Sequence, residues 1–329
     1  MKYLHVTERD GRYLSELREA AVPRPRADEL LVQVAASGLN RADLSQIAGR
    51  YPPPPGEPEI LGLEVAGTLP SSGERVCALL AGGGHAEYVA APRGQVFPAP
   101  PALDLVPAAG IPEAFLTAFV NLVVEGGLSA GDAVLIHAGA SGVGLAAIQM
   151  GKLVGAKVAA TTRTADKLAA LTAAGADLAL LGPHAVSEIE QRWGPDSVAV
   201  VLDPIGAATL PGDLAVLAPG GRIVSIATLG GAAAPLDLSL LMRKRARLIG
   251  SMLRARSRTE KAALVTQFRR DILPAFDSGA LRVTVDSVFP PARAVAAFQR
   301  MRDNANTGKI VMFPPRPAAP AWRGRGRRR

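Results

Sequence analysis

The run Val134-Leu135-Ile136-His137-Ala138-Gly139-Ala140-Ser141-Gly142-Val143-Gly144 constrains the fold more than any other segment. Val134 to His137 is a short apolar strand, and the glycines that follow force a tight turn. Leu145, Ile148 and Leu153 then recur at helical spacing. Small residues let the backbone approach a ligand closely. The start of a helix supplies free N–H groups and a partial positive charge. A strand before and a helix after is the setting that a dinucleotide-binding fingerprint requires. Ser141 stands where the second glycine of G-x-G-x-x-G falls, so its hydroxyl can donate to a phosphate at the cost of some room. A tight turn without a ligand is the alternative for the glycines alone; the strand–helix setting favours binding.

The surrounding chain supplies that setting. Lys157–Thr161, Val198–Leu202 and Gly221–Ile226 read as further strands, and Asp166–Ala174 reads as a helix stopped by Gly175. Strands alternating with helices predict right-handed βαβ units, hence a doubly wound parallel sheet with helices on both faces. The chain's first third has a different texture. Leu30–Ala36 is a short buried strand, Pro52–Pro55 forms a stiff connection after Tyr51, and Gly82–Gly84 marks a turn. At about 100–200 residues per domain, 329 residues predict two domains.

Cys77 is the only cysteine, so no disulfide within the chain and no Cys-x-x-Cys zinc site can form. A cytoplasmic location is expected. The N-terminus lacks the basic-then-apolar order of a signal peptide, and no apolar run reaches membrane-spanning length. The formal charge is +8, but Arg316–Arg329 holds six arginines and no acid, which leaves +2 for the rest. That tail is expected to be disordered. Its Arg-Gly segment, Trp322–Arg329, offers phosphate contacts and one stacking ring. Nucleic-acid binding is the lesser reading of it, and a solubilising terminus the plainer one.

The second strand of the nucleotide unit bears on the cofactor. An acid at its end would take the ribose hydroxyls. Here the stretch reads Thr161-Thr162-Arg163-Thr164-Ala165-Asp166-Lys167, with no acid ending the strand. Arg163 and Lys167 suit a 2′-phosphate, which favours NADPH over NADH. Solvated charges at a helix start are the alternative. Other conspicuous residues take plain readings. His137 is expected to be a satisfied core histidine, His85 a strand cap near a cleft, and Cys77 a buried inert thiol. Asp203 is expected to fix a loop, and Arg243-Lys244-Arg245 to be a solvated helix face.

Taken together, Gly38–Leu44, Ile60–Gly67, Ile111–Phe119, the glycine turn and Gly308-Lys309-Ile310-Val311 carry a resemblance. To about Phe313 the chain resembles the zinc-free quinone oxidoreductases of the medium-chain dehydrogenase/reductase superfamily. The resemblance implies a GroES-like, β-rich substrate domain (1–112 and 273–313), a Rossmann domain (113–272) and a basic tail (314–329). It implies a homodimer formed through the Rossmann domains, with NADPH in the cleft. Nicotinamide-side positions fall on Asn40, Tyr51 and Thr117, and pyrophosphate positions on Ser141, Gly142, Val143 and Gly144. The 2′-phosphate positions fall on Arg163 and Lys167. Later cofactor loops match Asp203, Ile205 and Gly206; Thr228, Leu229 and Gly230; Ser251, Met252 and Leu253; and Asn306, Gly308 and Lys309. One departure is Gly182, where relatives commonly carry a Tyr near the adenosine phosphate.

Zinc-containing relatives place a Cys and a His at positions that here look like Asn40 and Leu63. Without such a set no metal polarises the acceptor, which favours quinones and conjugated enones as substrates. Tyr51 is the candidate catalytic group, either positioning the substrate or donating a proton to it. An alkenal or enoyl reductase, or an NADPH-binding sensor with little turnover, are the alternatives. No membrane partner is expected.

Overall fold

A computed structural model describes residues 1–315; the basic tail, with its expected disorder and nucleic-acid role, lies outside the described residues. Six parallel strands form one sheet, in the spatial order Leu178–Leu181, Lys157–Thr162, Ala133–Ile136, Val198–Asp203, Leu217–Ser225, Arg247–Gly250. Numbered along the sheet's own sequence this is 3-2-1-4-5-6, the doubly wound order, and the chain direction switches between Ala133–Ile136 and Val198–Asp203. Ligands of such sheets sit outside the carboxyl ends of the strands at that switch point. The glycine turn and the Asp203–Gly206 loop both leave from it. The strands Leu178–Leu181 and Arg247–Gly250 exceed those expected from the sequence pattern.

The second sheet has seven strands drawn from both ends of the chain. Its order is Val285–Phe289, Lys309–Met312, Glu29–Leu39, Glu64–Thr68, Arg75–Leu79, Val96–Pro98, and Tyr88–Pro92 also pairs with Glu29–Leu39. A separate hairpin, Lys2–Arg9 with Arg12–Glu19, completes the β structure. The helix Pro112–Phe119 joins the two sheets. Its ring Phe119 packs on Phe268 of the helix Arg258–Asp271 at 6.0 Å, and Phe97 of the second sheet meets the same ring at 5.9 Å. One continuous apolar core therefore ties the sheets together.

One surface expectation fails. Lys244 is buried rather than solvated: its Nζ pairs with Asp196 Oδ1 at 2.7 Å and also reaches the Ala215 carbonyl. Burial of the stem with the charge paired satisfies both halves of a long cationic side chain.

Candidate active site

The glycine turn leads into the helix Gly142–Val154, with Ser141 as N-cap. Ser141 Oγ accepts from the Gly144 amide at 3.0 Å, so this hydroxyl completes the helix start, a role the sequence reading had not given it. The Val143 amide finds no acceptor among the described residues, whereas the Gly142 amide faces the Gly308 carbonyl across the isolated parallel bridge between Ser141 and Gly308. A Cβ on Gly144 would lie 2.4 Å from the Ala138 carbonyl oxygen, so only glycine lets the turn close this tightly. A tight helix start with a free Val143 amide fits a pyrophosphate.

The turn is docked on the second sheet. Gly308 donates its amide to the Ala140 carbonyl at 2.9 Å, and a Cβ on Gly142 would meet Lys309 Cδ at 2.5 Å. Lys309 starts the strand Lys309–Met312 and is buried. Its ammonium reaches the Leu39 carbonyl at 3.2 Å, Asn40 Oδ1 at 2.7 Å, and Glu64 Oε1. Asn40 Nδ2 donates to the same Glu64 oxygen at 2.9 Å. The other oxygen, Glu64 Oε2, accepts from the Glu113 amide at 2.8 Å. Glu64 is wholly buried, and this set of donors satisfies both of its oxygens.

Glu113 lies in the first turn of Pro112–Phe119, one turn before Thr117 on the same face. Its side chain is half-buried, and its carboxyl oxygens make no hydrogen bond among the described residues. Burial, and then the neighbouring charge of Glu64, push this carboxyl up to about 8. Tyr51 and Arg254 lie within its electrostatic reach, and burial followed by the charge of Glu113 raises the Tyr51 hydroxyl. The Arg254 guanidinium stacks on the Tyr51 ring at 5.1 Å and donates to the carbonyls of Tyr51 (3.1 Å) and Ala81 (2.9 Å). Asn40, Tyr51 and Lys309, named from sequence, thus join one cluster. Glu64, Glu113 and Arg254 were not singled out. A charged residue opening an otherwise apolar helix was the available signal for Glu113.

The adenosine side is less uniform. Lys167 Nζ is held by the carbonyls of Asn304 at 2.6 Å and Asn306 at 2.8 Å, so it braces the loop before Gly308. Arg163 is exposed and forms no ion pair among the described residues. Burial, then the positive charge of Arg163, lowers the pKa of nearby Arg41, which itself donates to Asn304 Oδ1 at 2.5 Å. A Cβ at Gly182 would meet nothing nearer than the Thr162 carbonyl oxygen at 3.9 Å. Asp203 accepts from the amides of Ile205 (2.7 Å) and Gly206 (2.9 Å) and from Thr209 Oγ1 (3.0 Å), fixing its loop. Thr228 accepts from the Gly231 amide at 3.1 Å, and the Leu229 and Gly230 amides donate to the carbonyls of Pro204 and Ile205. Ser251 donates its amide to the Ser225 carbonyl, and Leu253 is buried while Met252 is exposed.

The other singled-out residues settle in the interior. His137 bonds Asp213 Oδ1 at 2.7 Å and Thr161 Oγ1 at 2.9 Å. Cys77 Sγ donates to the Ala108 carbonyl, and burial pushes its thiol far up. His85 bonds Ser37 at 2.8 Å, and burial holds its pKa down.

Residues 26–101 match the alcohol dehydrogenase GroES-like domain, and residues 142–267 match the zinc-binding dehydrogenase family. The quinone oxidoreductase of Thermus thermophilus, solved also in complex with NADPH, is 34% identical. It superposes with a TM-score of 0.83, covering 95% of this chain and 100% of that one. The chain belongs to the medium-chain dehydrogenase/reductase superfamily. Members bind nicotinamide cofactors, and the chain is an oxidoreductase of this superfamily. The enoyl reductase CurK is 26% identical, with a TM-score of 0.79 over 95% of this chain and 99% of its own. A spectinabilin polyketide synthase system protein, NorB of Streptomyces orinoci, is 33% identical over 95% of this chain; the match spans only 14% of that protein's length. Among the described residues no helix is long and apolar enough to cross a membrane.

Proposed function

We propose that the chain is an NADPH-dependent quinone reductase that works without a catalytic metal. The observation that carries this reading is the cluster at Asn40. Where zinc-containing relatives hold a metal, an amide, a buried carboxylate and the Lys309 ammonium satisfy one another, and Leu63 offers no ligand. Bound nicotinamide supplies hydride to the acceptor. The chain's own residues position the reactants, exclude water and stabilise charge on the acceptor oxygen. The helix start at Gly142, with the free Val143 amide, takes the pyrophosphate. Arg163, with Arg41 within its electrostatic reach, suits the 2′-phosphate. Asn40, Tyr51 and Thr117 line the nicotinamide side, and Tyr51 forms the acceptor wall. The second sheet and its flanking segments, 1–112 and 273–313, make the substrate domain. The chain pairs with a second copy through the parallel-sheet domain.

Likeness to an enoyl reductase favours a second reading, reduction of conjugated enones in the same cleft. The test is oxidation of NADPH, followed by its absorbance, with 9,10-phenanthrenequinone, 1,4-benzoquinone and a 2-alkenal as parallel acceptors and NADH as control. Quinone turnover with NADPH preferred is the expected result. Turnover with the alkenal alone selects the enone reading, and no turnover with any acceptor overturns both. Arg163→Ala should reduce the NADPH-over-NADH preference about tenfold, the worth of one charge-assisted hydrogen bond. An unchanged ratio would remove Arg163 from the phosphate site.

A further inference from the structure

We propose that the Glu113 carboxyl is the proton donor of the cleft, delivering its proton to the oxygen of the acceptor as the acceptor takes up hydride. The proposal rests on the reductase reading above and adds the source of the proton.

The geometry isolates Glu113 from every other acid and base in the cluster. Glu64 is wholly buried, and both of its oxygens are occupied, one by Lys309 and Asn40 and the other by the Glu113 amide. Asp43 is occupied too, accepting from the amides of Asn40 at 2.7 Å and Gly62 at 3.0 Å. The Lys309 ammonium has three acceptors. His85 is buried and bonded to Ser37, so it cannot reach a substrate. Glu113 alone pairs a fixed backbone with a carboxyl that has no partner among the described residues and is not fully buried. It shares a helix face with Thr117, and Tyr51 and Arg254 lie within its electrostatic reach.

The charge of Glu64 disfavours a second carboxylate beside it, and Glu113, whose oxygens lack donors, is the group that keeps a proton. The charged and titratable groups around Glu113 are Glu64 from Glu64–Thr68, Lys309 from Lys309–Met312, Asp43 from Arg41–Ile47, Arg254 after Arg247–Gly250, Lys261 from Arg258–Asp271, and Tyr51 after the first helix. Their balance, dominated by burial and Glu64, places the carboxyl at about 8, so it is protonated at neutral pH. A phenol-type oxyanion ordinarily titrates near ~10, so transfer from Glu113 to a reduced quinone oxygen runs downhill. Tyr51, whose hydroxyl is raised further, is the weaker acid and serves as wall.

Bonds and charge balance in this step. Hydride uptake carries two electrons to the quinone and leaves a hydroquinone monoanion. The O–H bond of Glu113 breaks with its electron pair retained as carboxylate, and an O–H bond forms on the acceptor oxygen. Solvent then returns a proton to Glu113, whose side chain is not fully buried.

The test combines a rate and a spectroscopic readout on the full chain. Glu113→Gln should lower the single-turnover rate with 9,10-phenanthrenequinone about 100-fold, the lower end of general-acid effects. NADPH affinity by fluorescence quenching should stay within about threefold. The wild-type rate should decline above about pH 8, and this limb should vanish in Glu113→Gln. Glu113→Asp, which keeps a carboxyl, should recover part of the rate. Infrared titration should show a protonated-carboxyl band at about pH 7 that disappears above about pH 8 and is missing from Glu113→Gln. A variant with the wild-type rate and an intact alkaline limb overturns the proposal, as does a carboxyl already ionised at neutral pH. If the wild-type protein itself turns over no acceptor, the reductase reading falls and this proposal falls with it. Wild-type turnover beside an unaffected variant sinks the proton donor alone.

Discussion

Glu113 leaves a trace in stability as well as in rate. In an unfolded chain its carboxyl ionises at its ordinary 4.5, and in the folded cleft at about 8. Between those values the folded state holds a proton that the unfolded state has released. Its contribution to stability is therefore full below 4.5, falls as pH rises through the window, and levels off above 8. Glu113→Gln removes this linkage. The urea midpoint of the variant minus that of the wild type should widen from pH 4.5 to about 8 and then hold constant. A difference that stays flat across the window would show that Glu113 titrates as an ordinary carboxyl. This residue was opaque in the sequence because its proton depends on Glu64, 49 positions earlier, and on how Glu64 is itself occupied. The burial of His137 and Cys77 was readable because strand position alone predicts it; that Asp213, 76 positions on, outweighs burial and raises the His137 pKa was not. Lys167 was half-readable. Its charge is local information, but the carbonyls that hold it belong to a loop 137 and 139 residues away.

Elements were legible where pattern and turn chemistry agreed. The glycine turn, its helix and the central strands follow from apolar runs bounded by glycine. The strand Leu178–Leu181 was missed because Leu-Ala-Leu-Leu carries helix propensity and no β-branched residue; its parallel partner Lys157–Thr162 decides its state. Arg247–Gly250 was missed because four residues give no period to read, and it follows a helix ended by Arg245 in the left-handed region, at φ 49°. The connection after that strand holds the cleft. Arg254 is 4% exposed and clasps Ala81 O, Tyr51 O and Gln46 Oε1, so one side chain from the parallel-sheet side holds three segments of the other domain. Arg254→Met should cost about 3 kcal/mol, because the Ala81 carbonyl loses a charged donor and stays buried. Arg254→Lys should recover only part, since one ammonium cannot reproduce the planar fork. Urea unfolding of both variants checks this. A loss below about 0.5 kcal/mol in Arg254→Met would place the guanidinium among solvated surface groups.

The whole molecule leaves one edge to be explained. The six-stranded sheet ends at Arg247–Gly250, whose outward amides and carbonyls have no partner strand among the described residues. Leu248 on that strand is 43% exposed, and Leu238 and Met242, one turn apart on the preceding helix, are 61% and 69% exposed. A free strand edge flanked by apolar side chains invites pairing with another chain unless it is covered. The homodimer proposed above would place a second copy on this edge. An edge strand meeting its own image across a two-fold axis pairs antiparallel, and the patch becomes self-complementary. Leu248→Lys puts a charge into the pairing strand of both copies at once, and like charges facing across an antiparallel pair repel. The variant should elute with half the mass of the wild type by light scattering while keeping its circular dichroism. Leu14→Lys, on the separate hairpin where Leu14 is 51% exposed, should leave the mass unchanged. A monomeric wild type, or a Leu248→Lys protein with undiminished mass, would assign the exposed edge to something other than a second copy.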